Sequence, residues 1–137
     1  MWEGKMNLNE KWRIATCTVL ALAITGCSDP CSNTIVSKSR TPNGLDEAVI
    51  FQRDCGATTS FTTQVGIIGH SWTGKMETIF VADDDHGKAR VGNWQGPWAE
   101  SIWQTPTHLI IKYAHQSRIF KKVSQVGDIQ IDYQEVP

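Results

Sequence analysis

The sequence predicts an all-β fold, a small antiparallel sandwich or strongly curled meander behind an N-terminal signal segment. Three observations carry this expectation. Apolar residues alternate with polar ones at period two in the C-terminal third, where Leu109, Ile111 and Tyr113, then Ile129, Ile131 and Tyr133, share a face. Turn chemistry punctuates the chain at short intervals, as in Thr41-Pro42-Asn43-Gly44 and Gly127-Asp128. Beyond residue 26, no segment sustains apolar spacing of i, i+3, i+4 over about ten residues.

The elements follow in order. Asn33 to Ser39 reads as a first strand and Ala48 to Cys55 as its return. The turn between them has a mechanism: Pro42 presets φ and Asn43-Gly44 tolerates positive φ. The first unit is therefore a hairpin. Phe61 to Ile68 is rich in β-branched residues and reads as a strand, as does Glu77 to Ala82, which runs into the polar loop Asp83-Asp84-Asp85-His86-Gly87. The glycines and tryptophans from Gly92 to Trp98 mark an irregular connection. Ala99 to Trp103 is a short strand, Thr105-Pro106-Thr107 turns the chain, and His108 to Tyr113 follows. Arg118 to Val126 and Ile129 to Tyr133 are expected to form a last hairpin around Gly127-Asp128. One wet face and one buried face suit antiparallel sheets.

Composition bounds the rest. The chain has 137 residues, enough for one domain, with 40% apolar and 20% charged side chains and a formal charge of −1. No basic excess points to nucleic acid, and no repeat or Ser/Pro/Gly linker divides the chain.

The N-terminus carries an address. Lys5, Lys11 and Arg13 precede an uncharged run from Ile14 to Thr25, the physical layout of a secretory signal. The run is shorter than the roughly 20 apolar residues a spanning helix needs. Met6 offers an alternative start to Met1. Ile24-Thr25-Gly26-Cys27 resembles the lipobox of bacterial lipoproteins. That resemblance implies a diacylglyceryl thioether on Cys27, cleavage after Gly26 and acylation, with palmitate among the acyl chains, at the new amino terminus. Several acyl chains, at about 0.8 kcal/mol per buried CH₂, anchor a protein durably. Ser28, rather than aspartate, follows the cysteine; by resemblance to Gram-negative lipoproteins this implies the outer membrane, facing the periplasm. The expected division is a signal peptide over 1–26, a tether over 27–31 and one β domain over 32–137.

Of four cysteines, Cys17 lies in the discarded run and Cys27 would carry lipid. Cys31 and Cys55 remain, an even pair in an oxidising compartment, expected to bridge; two buried thiols are the competing reading. The stretches Cys31-Ser32-Asn33, Thr41-Pro42-Asn43-Gly44, Ala48-Val49-Ile50-Phe51-Gln52-Arg53-Asp54-Cys55-Gly56-Ala57-Thr58-Thr59 and Thr63-Gln64-Val65 resemble a group of small bacterial envelope proteins with no assigned activity. The resemblance covers about 35 residues and implies a structural Cys31–Cys55 bridge across the first hairpin.

Constellations that could carry chemistry are few. Gly69-His70-Ser71-Trp72-Thr73 resembles the Gly-x-Ser-x-Gly nucleophile elbow of α/β-hydrolases, but Thr73 stands where the turn wants glycine, and a strand pattern follows where a helix is required. Three consecutive aspartates at 83–85 point alternately apart, which suits a solvated turn better than a cation site. His70, His86, His108 and His115 are scattered, no Cys-x-x-Cys pair exists, and neither metal nor cofactor is expected. Arg53 and Asp54 face opposite sides of a strand and make no acid–base pair. Trp72, Trp94, Trp98 and Trp103 are dense for this length. Tryptophan offers contact area at low entropic cost, so Trp94, Trp98 and Trp72 are the candidate binding residues; core packing is the alternative.

These readings converge on a non-enzymatic envelope protein, held on the membrane by lipid, whose β domain contacts another envelope protein or a glycan. An immunity, inhibitor or exclusion protein fits that description. The alternatives are a glycan-binding module using Trp94 and Trp98, and a small serine hydrolase centred on Ser71.

Overall fold

A computed structural model describes residues 26, 29–70 and 74–137. Cys27 and all but Gly26 of the expected signal segment lie outside the described residues, as do Ser71, Trp72 and Thr73.

The chain is all-β, and among the described residues there is no helix. Among the described residues, nine strands run in chain order: β1 (Ser32–Arg40), β2 (Glu47–Asp54), β3 (Thr62–Ile68), β4 (Met76–Asp83), β5 (Ala99–Thr105), β6 (His108–Ala114), β7 (Arg118–Lys122), β8 (Gln125–Val126) and β9 (Ile129–Val136). They form two sheets, one of five strands in the order β1-β2-β3-β4-β7 and one of four in the order β5-β6-β9-β8. The first four strands make an antiparallel meander. The expected turn joins β1 to β2: the Gly44 amide donates to the Thr41 carbonyl at 2.8 Å, Gly44 has φ of 73°, and the Leu45 amide donates to Asn43 Oδ1 at 3.1 Å.

The alternation read from the sequence defines the core. Leu109, Ile111 and Tyr113 of β6 and Ile129 and Ile131 of β9 face Ile50, Val65, Ile67, Ile79 and Phe80 of the first sheet. Phe80 sits between Tyr113 and Tyr133, its ring centroid 5.4 Å and 5.8 Å from theirs. Burial of such side chains, at about 1.5–3 kcal/mol each, is the main force holding the two sheets together.

Two expectations need correction. Arg118–Val126 is not one strand of a terminal hairpin: it breaks at Val123-Ser124. β7 pairs with β4 in the first sheet, and only β8 pairs with β9 across Gly127-Asp128. The strands are also not all antiparallel, because β9 lies parallel to β6, Leu109 opposite Ile131 and Tyr113 opposite Glu135. Both follow from one fact. After β6 the chain crosses to the first sheet as β7 and then returns, so β9 arrives beside β6 from the same end. Ile119 packs on the core from the first sheet and Val126 from the second, so burying both required the switch.

Candidate functional site

β1 is an edge of the first sheet and β5 an edge of the second, and the two edges meet side by side. Inward-facing Ser39 and Ser101 join them through their hydroxyls at 2.8 Å, and Trp103 Nε1 donates to the Ser39 carbonyl at 3.1 Å. Beside this junction the edges part and leave an open cleft of about 340 Å³, lined by Ser37 and Lys38 from β1, Glu100 and Ser101 from β5, and Trp94 and Trp98 from the β4–β5 connection.

That connection is more regular than its sequence implied. Val91 and Pro97 form an antiparallel bridge, the Trp98 amide donates to the Arg90 carbonyl at 2.9 Å, and the Gly92 amide donates to the Gly96 carbonyl at 2.9 Å. The glycines are required by close approach. A Cβ at Gly92 would lie 2.4 Å from the Trp94 ring, and one at Gly96 would lie 2.5 Å from Thr63 Oγ1. Trp94 is held further by its indole N–H, which donates to Thr63 Oγ1 at 2.8 Å, and by Gln52 Nε2, which donates to its carbonyl. Thr63 is itself buried and donates to the Pro97 carbonyl at 2.7 Å. Trp98 carries the Arg90 guanidinium 4.4 Å from its ring centre, a cation–π contact. Both rings are half-buried and preset, so a ligand entering the cleft would freeze few side chains.

The four tryptophans thus part company. Trp94 and Trp98 share the cleft, Trp103 packs against the core, and Trp72 lies outside the described residues. The sequence missed Ser37, Lys38, Glu100 and Ser101, which reach the cleft only because two strands distant in the chain become facing edges; no local signal marks them. Cys31 and Cys55 form a disulfide with Cα atoms 3.9 Å apart, just outside the first paired residues of the hairpin, Ser32 and Asp54.

The other clusters resolve into local structure. Asp83 is buried and paired with Arg118, Asp85 pairs with Lys88 at 2.7 Å, and these bonds point the two carboxylates to different partners. The Lys88 ammonium beside Asp85 holds its carboxyl below the ordinary value. His108 pairs with Asp132 and His115 with Glu135, each at 2.7 Å. The Gln116 amide and then His115 lower the Glu135 carboxyl. Among the described residues, no three His, Cys, Asp or Glu side chains gather as a metal site. The chain from Met76 to Asp83 forms strand β4 rather than the helix an elbow requires. Comparison with protein-family models, curated proteins and solved structures finds no match for this chain.

Proposed function

We propose that this is a lipid-anchored protein of the bacterial cell envelope whose β domain works by binding rather than by catalysis. The observation supporting this most directly is the Cys31–Cys55 disulfide. Such bonds persist in oxidising compartments and are rare in the cytosol, and this one begins four residues after the lipobox cysteine. In this reading the signal is cleaved after Gly26, Cys27 carries the acyl chains, and residues 28–30 tether the domain to the outer membrane on its periplasmic side. Metabolic labelling with an alkyne palmitate analogue tests it. Label on the wild type, lost in Cys27→Ala together with signal cleavage, is the expected result; an unlabelled, uncleaved wild type overturns it.

A second reading concerns what is bound. Trp94 and Trp98 share one cleft with Ser37 and Ser101, which favours a saccharide: sugar rings stack on indole while their hydroxyls take hydrogen bonds. Titration with cell-envelope oligosaccharides is expected to change tryptophan fluorescence in the wild type and not in Trp98→Ala. An unchanged wild-type spectrum at saturating sugar sinks this reading and leaves the lipid anchor standing.

A further inference from the structure

The two outer faces of the sandwich differ in kind. On the second sheet the outward residues include Glu100 opposite Lys112, Asp132 beside His108, and Ile102 opposite Ile110, both half-buried; none of its large apolar side chains is fully exposed. On the first sheet the register aligns Ile35, Phe51, Gln64, Val81 and Lys121 in one row across all five strands, about 19 Å at the usual strand spacing. In the next row Met76 lies over Gly66, where a Cβ would meet its side chain at 2.5 Å. Phe51 and Val49 are buried at the centre, whereas Ile35 is 59% exposed and Phe120, in the β7 bulge beside Lys121, is 58% exposed.

The tether leaves over the same face. Arg53 is outward-facing on β2, bonded to Asn33 Oδ1 at 3.1 Å, and its guanidinium holds Asp29 at 2.7 Å. Asp29 also accepts the Cys31 amide at 3.1 Å, so the chain is clamped at the border of the apolar row. Cys27 lies two residues earlier, at most about 7 Å of chain away.

From these two placements we propose that the outer face of the first sheet rests on the lipid bilayer that receives the Cys27 acyl chains, leaving the polar second sheet turned to the aqueous side. This rests on the lipid-anchor reading above. Four of the cations on the face have carboxylate partners, Lys38 with Glu47, Arg53 with Asp29, Arg118 with Asp83 and Lys121 with Glu77. Contact is therefore apolar and shallow, and insensitive to salt. It is weak alone and effective as a second signal beside acylation.

The test is photo-crosslinking in native envelopes, with p-benzoylphenylalanine replacing Ile35, Phe120 or, as the control on the second sheet, Gln134. Intact-mass analysis is expected to find phospholipid adducts at positions 35 and 120 at least tenfold above position 134, unchanged by a 1 M salt wash. Equal labelling at the three sites, or adducts at 35 and 120 with a second copy or another protein in place of lipid, overturns the proposal. The same spectra report the mass at Cys27. An acylated protein without lipid adducts defeats the docking face alone, whereas adducts without acylation defeat the anchor alone.

Discussion

Tyr133 donates its phenolic proton to the backbone carbonyl of Val123 at 2.7 Å, where the chain leaves the first sheet for the second. The Val123 amide in turn donates to the Ile79 carbonyl at 2.9 Å, so β9, β4 and the crossing segment are tied at one point. Burial pushes the Tyr133 hydroxyl up to about 12. A raised value in the folded state means that the protonated phenol stabilises the fold fully below about pH 10, and that this contribution is lost as pH rises through 12. Tyr133→Phe is expected to lower unfolding free energy by about 1–2 kcal/mol at pH 7 and to flatten the alkaline limb of the stability curve. Urea titrations at pH 7, 9, 10 and 11 check both; an unaltered alkaline slope contradicts the assignment.

Asp83 and Arg118 close the other end of the β4–β7 pairing. Arg118 Nε donates to Asp83 Oδ1 at 3.1 Å and Nη2 to Oδ2, and the Asp83 side chain is only 4% exposed while Arg118 is 44% exposed. The carboxylate raises the guanidinium above its ordinary value. Removing the cation strands a buried anion, whereas neutralising the anion strands an exposed cation that water can serve. Arg118→Met is therefore expected to destabilise the fold more than Asp83→Asn in chemical denaturation. The reverse order counts against the buried-anion account.

The Cys31–Cys55 bond closes a loop of about 25 residues, which on the chain-entropy model stabilises by about 3 kcal/mol. It sits at one end of the β1–β2 pairing, while the Thr41 turn secures the other through bonds of its own. The Cys31→Ser/Cys55→Ser variant is expected to lose about that amount and to exchange amide hydrogens faster at Asn33 and Thr34 than at Lys38 and Ser39. Uniform acceleration along β1 contradicts a staple acting at one end.

What the sequence revealed followed from locality. Leu109 with Ile111 and Ile129 with Ile131 announce their strands because one buried face imposes period two, and Thr41 to Gly44 announces a turn because proline and glycine restrict or free φ. Residues 118–126 misled because strand propensity is continuous there, whereas the break at Val123-Ser124 is imposed by two sheets competing for one segment. The parallel pairing of β9 with β6 is a consequence of that switch and has no signature of its own. Trp94 and Trp98 were legible as a dense pair in a glycine-rich segment. Lys38 and Glu100 were not, because 62 positions separate them and only the meeting of two edges joins them.

The cleft depends on Gly92 because the Trp94 ring occupies the space a side chain would take. Gly92 does not adopt a positive φ, so replacing it strains packing rather than backbone, in contrast to Gly44, where φ is 73° and no atom lies within 4 Å of an added Cβ. Gly92→Ala is expected to displace the indole from Thr63, weaken near-ultraviolet circular dichroism from tryptophan, and cost about 1–3 kcal/mol. If the ring is the cause, the cost disappears once the ring is gone. In a Trp94→Ala background, Gly92→Ala is expected to be nearly neutral, giving a coupling of at least about 1 kcal/mol in the double-mutant cycle. Additive losses would mean that Gly92 serves the backbone turn and not the tryptophan.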